Sequence, residues 1–428
     1  MVGGKRGYVP GMTAPLTALT ARRLLSGFAA GDFTPVDATR AALDRIGSVR
    51  PDAALAAAEA SAGRWERGEP RGLLDGVPVA VEEPPAPYEG TGGGAGGGAE
   101  APSAVLLREH GAVLVGRTPA REPAPRGPSR TPARDGAAAV ALGAVPLSLG
   151  TDGGGAIRVA ASFSGVLGLK PTYGRVPHFP AGPFGALAHV GPTARDAADA
   201  ALMLDVISGP GRVRQETEDG VKGLRIAYSP SFGGQVAVHP SVASAVRGAV
   251  TALAGLGAYI TEADPDMADP VDAFRTLWSA SAARLAHRLG PGRRRSLDPA
   301  LLEIAAAGAR ISAVEYLAAE EARAELERRM DRFHTSYDLL VTPTVPVPVT
   351  AAEASPGPRG RAGWPPFAYP FNMSRQPAAS VPCGVDADGL PIGVQLIAAR
   401  HADALVLRAA HALYEAGATA GAVGTAGR

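Results

Sequence analysis

A single cysteine, Cys383, occurs in the 428 residues, so the chain cannot close an internal disulfide, and a reducing compartment is expected. Charge of either sign is not in excess: 42 basic residues face 41 acidic ones, for a net charge of +1. That balance offers no broad field for nucleic acid or an anionic membrane surface. No apolar run is long enough to span a bilayer. The N-terminus, MVGGKRGYVPGMTAPL, has basic residues but no apolar stretch behind them and is not a secretory signal. Met1 and Met12 are both candidate starts. A cytoplasmic protein is expected. The eight histidines (110, 178, 189, 239, 287, 334, 401 and 411) show no spacing such as His-Glu-x-x-His, so no metal is expected.

What is present is an ordinary apolar share, 46%, sufficient for a large core, with abundant Gly and Pro that match a GC-rich coding bias. Residues 17–32 read as a helix capped by Thr20 and ended by Gly31, and a second helix starts at Thr34-Pro35. Asp75-Gly76 turns into the apolar run Val77–Val81, a buried strand. A helix over 103–110 leads to the strand Ala112–Gly116, and a helix over Ala137–Gly143 to the strand Val145–Leu149. Further strands are expected at Leu224–Tyr228, Tyr337–Val341 and Val394–Ile397. Helices are expected from His239-Pro240, over 299–334 and over Ala402–Ala416. Alternating helices and strands predict an α/β fold. The Pro- and Gly-rich stretches Pro84–Gly98 and Pro119–Pro132 read as loops. With no repeat or linker, residues 16–418 are expected to form one domain between loose tails at 1–15 and 419–428.

The segment Leu149–Val176, LGTDGGGAIRVAASFSGVLGLKPTYGRV, carries most of the chemistry. Gly153, Gly154 and Gly155 permit a tight turn whose N–H groups can face a ligand or a developing oxyanion. This segment resembles the signature of the amidase signature family, G-T-D-x-G-G-S-I-R followed by G-L-K-P-T-x-G-R-V. LDGVPVAV (Leu74–Val81), GAVLVGRT (Gly111–Thr118), YDLLVTP (Tyr337–Pro343) and PFNMSRQPAASVPCG with DGLPIGV (Pro366–Val394) are similar to other family segments in the same order. The resemblance implies an α/β/α sandwich around a large mixed sheet, an amide or ester hydrolase ancestry, and no cofactor or metal.

In that family a serine attacks the carbonyl, a second serine in a cis-peptide setting relays the proton, and an unprotonated lysine is the base. Carried over by resemblance, the nucleophile position is Ala156 and the lysine position is Glu82. The segment holding the relay serine is shortened to Ala133-Arg134-Asp135-Gly136, leaving Asp135 near its place. These substitutions imply loss of serine hydrolysis, with a ligand-binding or assembly role retained. The ligand expected is a small amide, acyl or carboxylate compound, and self-association into a homodimer is the partner expectation. Asp152 and Arg158 read as a buried pair that supports the fold, as does Lys170, while the glycines read both as structure and as ligand contacts.

Two alternatives accompany this reading. Glu82, if partly buried, would have a raised pKa and could act as a general acid or base beside a glycine-loop oxyanion hole. The reading placed ahead of it is plainer: Glu82 and Glu83 are a surface-facing pair that replaced a base no longer needed. The other alternative is an amidase with a relocated nucleophile, but neither Ser162 nor Ser164 sits in a Gly-x-Ser-x-Gly elbow. Ser129 reads as a turn residue, and Cys383 as a buried inert thiol. Glycines 92–98 lack the Gly-Lys-Ser/Thr ending of a phosphate loop, and Arg293-Arg294-Arg295 reads as solvated charge.

Overall fold

The computed structural model describes residues 15–46, 51–83, 101–119, 136–177, 184–209, 213–294, 297–349 and 364–419. The expected loops at 84–98 and 120–132, most of both tails, and Asp135 lie outside the described residues. Among them stands one ten-stranded sheet. Its strands are β1 Pro78–Glu83, β2 Val113–Pro119, β3 Leu147–Asp152, β4 Leu167–Lys170, β5 His189–Ala194, β6 Arg225–Tyr228, β7 Tyr259–Glu262, β8 Leu339–Pro343, β9 Ala378–Val385 and β10 Pro391–Ala398. The spatial order is β2-β1-β3-β5-β4-β9-β10-β8-β6-β7. Both ends are parallel (β2, β1 and β3; β8, β6 and β7), while the strands between pair antiparallel.

Parallel neighbours need a crossover, and helices supply it. Helix Pro102–Glu109 links β1 to β2, and helix Pro240–Gly255 links β6 to β7. Period-two burial then gives the sheet two apolar faces. In β8, Leu339 and Val341 enter a large aliphatic core, whereas Leu340 enters an aromatic-rich core on the other face. Helices cover both faces, giving the α/β/α arrangement.

Several expected elements shift by a residue or two, and others carry no readable signal. The first helix is broken: a 3-10 turn at Leu16–Ala18 precedes the helix Ala21–Ala30, which Gly31 ends at φ 75°. Residues 299–334 divide into helices Pro299–Gly308 and Ala313–Ser336, the second opened by a reciprocal Ser312–Glu315 capping box. Helix Ala197–Ile207 has no amphipathic period to read, because every one of its residues is buried. Helices Pro51–Glu66 and Val271–Arg294 and strands β5, β7 and β9 are likewise additions to the sequence-based expectation. In β9, Pro382 would ordinarily argue against a strand inside a sheet. It is accommodated by the irregularity between Ile392 and Gly393, where the β9–β10 register skips Cys383.

The anticipated Asp75-Gly76 turn is a packing clamp. The buried Asp75 carboxylate accepts from Ser61 Oγ at 2.8 Å, Arg64 Nε at 2.9 Å and the Arg71 N–H at 2.7 Å. Burial alone would raise its pKa, but these donors and the Arg64 charge outweigh burial and hold it below the usual range. The clamp ties helix Pro51–Glu66 to the entry of β1. Asp75→Ala strands Arg64 and these donors without their acceptor and is expected to lower stability by about 3 kcal/mol. Urea unfolding of the purified variant checks this, and a loss below about 1 kcal/mol would remove the clamp's assigned weight.

Candidate functional site

The signature segment folds as a strand, a glycine turn and a helix. β3 ends at Asp152, and the helix Ala156–Ser164 begins directly after Gly155. Gly155 has φ 117°, a conformation open to glycine but strained for other residues, and the helix ends at Gly165 with φ 71°. The Asp152 carboxylate reaches across this turn and accepts the Gly155 N–H at 2.7 Å. Of the three glycine amides expected to face a ligand, that one is therefore engaged by the protein. Gly153 and Gly154 have no hydrogen-bond partner on their N–H groups among the described residues.

Beneath the turn lies a closed polar network. Arg158 donates through Nε to Asp152 Oδ2 at 2.9 Å and through Nη2 to Oδ1 at 3.0 Å, and both side chains are fully buried. Its remaining donors reach Gln395 Oε1 at 2.8 Å, the Ala368 carbonyl at 2.9 Å and Asn372 Oδ1 at 2.5 Å. Asn372 Nδ2 in turn donates to the Asp152 carboxylate and carbonyl and to the Leu187 carbonyl. Gln395 Nε2 donates to the Phe367 carbonyl at 2.7 Å and to Thr342 Oγ1 at 3.1 Å. Burial pushes the Asp152 pKa up, yet the Arg158 charge and the donated hydrogen bonds prevail and hold it far below the usual carboxylate range. In the sequence, Asn372 is one residue of a matched motif and Gln395 one residue of an expected strand. They lie 214 and 237 positions from Arg158, so no local pattern links them to it.

Lys170 and His189 border this network. Lys170 Nζ donates to the carbonyls of Gln376 and Pro171. Burial, reinforced by the Arg158 charge, drives its pKa well below the ordinary lysine value. His189 pairs with Asp152 across β3 and β5, and its Nδ1 lies 2.9 Å from the Leu187 carbonyl. Burial, with help from Lys170, lowers its pKa well below 6.5, so the ring is neutral.

The positions read as altered converge at the ends of β1 and β3. Glu82, partly exposed, accepts the Thr151 N–H through Oε2 at 3.1 Å. Gly136, the first residue of helix Gly136–Ala141, lies so that a Cβ there would be 3.3 Å from Glu82 Oε1. Ala156, partly exposed, opens the helix after the glycine turn. Ser129 lies outside the described residues, and the hydroxyls of Ser162 and Ser164 are buried with no partner among the described residues. Cys383 is buried, with its thiol pushed up to about 12, which fits the inert role expected. Among the described residues, no group of three His, Cys, Asp or Glu side chains could hold a metal ion. No described helix is long and apolar enough to cross a membrane.

This fold and turn define an amidase-type scaffold. The sequence profile of the Amidase family matches residues 136–407, and the chain belongs to the amidase signature family. It is 33% identical to an acylamidase of Rhodococcus erythropolis, over 92% of this chain and 94% of that protein. It is 32% identical to one of the subunits of the glutamyl-tRNA(Gln) amidotransferase of Chloroflexus aurantiacus, over 91% of this chain and 95% of that protein. Among solved structures, a bacterial aryl acylamidase of the amidase signature family superposes with a TM-score of 0.82 at 26% identity, covering 97% of this chain and 100% of that one.

Two outcomes follow from the buried groups. Arg158→Met leaves the Asp152 carboxylate buried without its counter-charge and is expected to cost about 3–5 kcal/mol in urea unfolding. Arg158→Lys should recover little, because one ammonium cannot replace a planar fork that serves five acceptor atoms. The second concerns pH. His189 has a folded pKa below its unfolded value of 6.5, so on acidification the unfolded chain takes up a proton that the folded chain refuses. Stability should fall as pH drops below about 6.5, and His189→Gln should flatten that slope between pH values of about 5 and 7. Urea midpoints measured across that range decide it, and an unchanged slope in the variant would exclude His189 as the source.

Proposed function

We propose that this chain binds a small amide, acyl or carboxylate compound at the Gly153 and Gly154 amides and does not hydrolyse it by the family's serine route. The observation that carries the reading is Ala156 at the start of the helix that follows an intact, network-braced glycine turn. An alanine has no oxygen with which to attack a carbonyl, whereas backbone donors are untouched by the substitution. Glu82 supports the same reading. Its carboxylate accepts the Thr151 N–H and helps hold the end of β3, a role in which no lysine base is required. Binding by such a chain serves either sensing or assembly, in the cytoplasm and as a homodimer.

A second reading gives Glu82 a proton-transfer role, since it is partly exposed beside the glycine turn. In that case Glu82→Gln abolishes whatever turnover the protein has. A relocated serine has weak support, because the hydroxyls of Ser162 and Ser164 are buried.

The test is incubation with a fluorophosphonate probe, read by intact-protein mass, together with turnover of activated aryl esters and amides. No adduct and no turnover above the buffer rate are expected. Ala156→Ser alone should stay at that background, because a nucleophile without its relay serine and base does not regain the function of the set. A stable adduct on the parent protein, or a clear gain of hydrolysis in that single variant, overturns the proposal.

A further inference from the structure

Among the described residues, three that are not glycine have a positive φ: Phe232, Arg375 at 62° and His401 at 72°. The last two flank one group of arginines. A left-handed backbone is strained for a residue with a Cβ, and such strain persists only where the surrounding structure enforces it. Arg375 lies between helix Tyr369–Met373 and β9, and His401 follows Arg400 just beyond β10. Both segments meet the turn after β4. The Tyr173 N–H donates to the Arg375 carbonyl at 3.1 Å, and the His401 N–H donates to Thr172 Oγ1 at 2.9 Å. Helix Ala313–Ser336 completes the group with Arg323 and Glu327.

Four guanidiniums gather here, and what they lack is acceptors. Glu327 is shared by three of them. Its Oε1 lies 3.3 Å from Arg375 Nε and 3.9 Å from Arg323 Nε, and its Oε2 accepts from Arg400 Nη1 at 2.9 Å. Asp403, fully buried, accepts from the Thr172 N–H and hydroxyl at 2.8 Å, but from Arg175 Nη1 only at 3.4 Å. Glu320 and Asp331 balance the formal charge from the more exposed rim, where they pair with Arg323 and Arg400. Acceptor atoms remain short. The Nε atoms of Arg175, Arg323 and Arg375 and Nη1 of Arg323 are buried with no hydrogen-bond partner among the described residues. Arg323 itself is 8% exposed, so water does not relieve it. The Arg375 guanidinium lies over the Tyr173 ring, 4.9 Å from its centroid. Arg375, Arg175 and Arg400 are partly exposed, so the cluster opens to solvent.

We propose that this cluster binds a phosphoryl group, as inorganic phosphate or a small phosphate monoester, with Arg175 and Arg375 as its ligating side chains. The oxygens of a phosphate are disposed tetrahedrally, so it accepts from guanidiniums that arrive on separate elements, whereas a planar carboxylate matches one fork. Stacking on Tyr173 holds the Arg375 fork in one orientation before the anion arrives. The site stands apart from the glycine turn and is independent of what that turn binds. Between them lie Tyr173 and His189, whose rings meet edge-on at 5.4 Å, and His189 pairs with Asp152 across β3 and β5.

The test titrates the full chain with sodium phosphate and with glycerol phosphate by calorimetry, against sodium chloride at equal ionic strength so that screening is matched. A dissociation constant below about 1 mM is expected, and the tighter of the two compounds identifies free ion or monoester as the source. Arg375→Gly removes the guanidinium and suits the left-handed backbone. It should weaken binding by about tenfold or more, while the urea midpoint stays at or above that of the parent. Arg175→Gln should weaken binding by a similar factor. Arg332→Gln, which alters an exposed arginine on helix Ala313–Ser336, should bind as the parent does. Absence of binding by either compound at about 10 mM overturns the assignment. Unchanged affinity in both Arg375→Gly and Arg175→Gln overturns it as well, and a fall in the midpoint of Arg375→Gly would then mark the cluster as structural. Binding of citrate without binding of phosphate replaces the phosphoryl group by a carboxylate and overturns the proposal too.

Discussion

The ion pair between Asp152 and Arg158 is the constraint around which this structure is arranged. Both groups are fully buried, and two charges removed from water are tolerated only when every remaining donor and acceptor is satisfied. Arg158 meets this demand by reaching three separate elements: Asp152 at the end of β3, Ala368 and Asn372 at the cap and within the short helix Tyr369–Met373, and Gln395 in β10. The pair thus joins the amino-terminal half of the sheet to its carboxy-terminal half. It also sets the glycine turn, because the same Asp152 carboxylate that receives Arg158 receives the Gly155 N–H.

Packing on the two faces of the sheet follows from what each must accommodate. The helices and strands of the large core meet through Val, Leu, Ile and Ala, whose small branched shapes fill the space between regular elements. Above the glycine turn the opposite face is met by one long helix and by irregular segments. There, rings from the region before β5, from helix Val271–Arg294 and from the residues just after 363 converge, and large flat side chains fill an irregular volume. Gly153 and Gly154 are matched to this, since a side chain at either would have to displace a ring.

Legibility in the sequence tracks the kind of signal each element carries. Helix Pro240–Gly255 is readable because Val242, Val246, Val250 and Leu253 repeat at helical spacing beside a solvated face. Helix Ala197–Ile207 is not, because complete burial leaves no contrast between faces. β9 is hidden by Pro382, whose tolerance depends on a register irregularity that only the paired strand reveals. At the site, Asp152, Arg158 and the glycines are visible through their spacing within one segment. Asn372 and Gln395 are not, because what gives them meaning is a contact across half the chain or more.

The buried network and the partly exposed positions beside it differ in a physically informative way. Asp152, Arg158 and Asn372 are buried and mutually dependent, so loss of any one leaves the others unsatisfied in a low-dielectric interior. Ala156 and Glu82 are partly exposed. At the first turn of a helix, alanine is at least as favourable as serine, so the fold gains nothing by keeping a nucleophile there. Folding alone is a sufficient reason for the ion pair. Beside that satisfied network stand two glycine amides with no partner among the described residues. An unpartnered backbone amide costs stability, whereas the donors of the network beneath the turn all have acceptors.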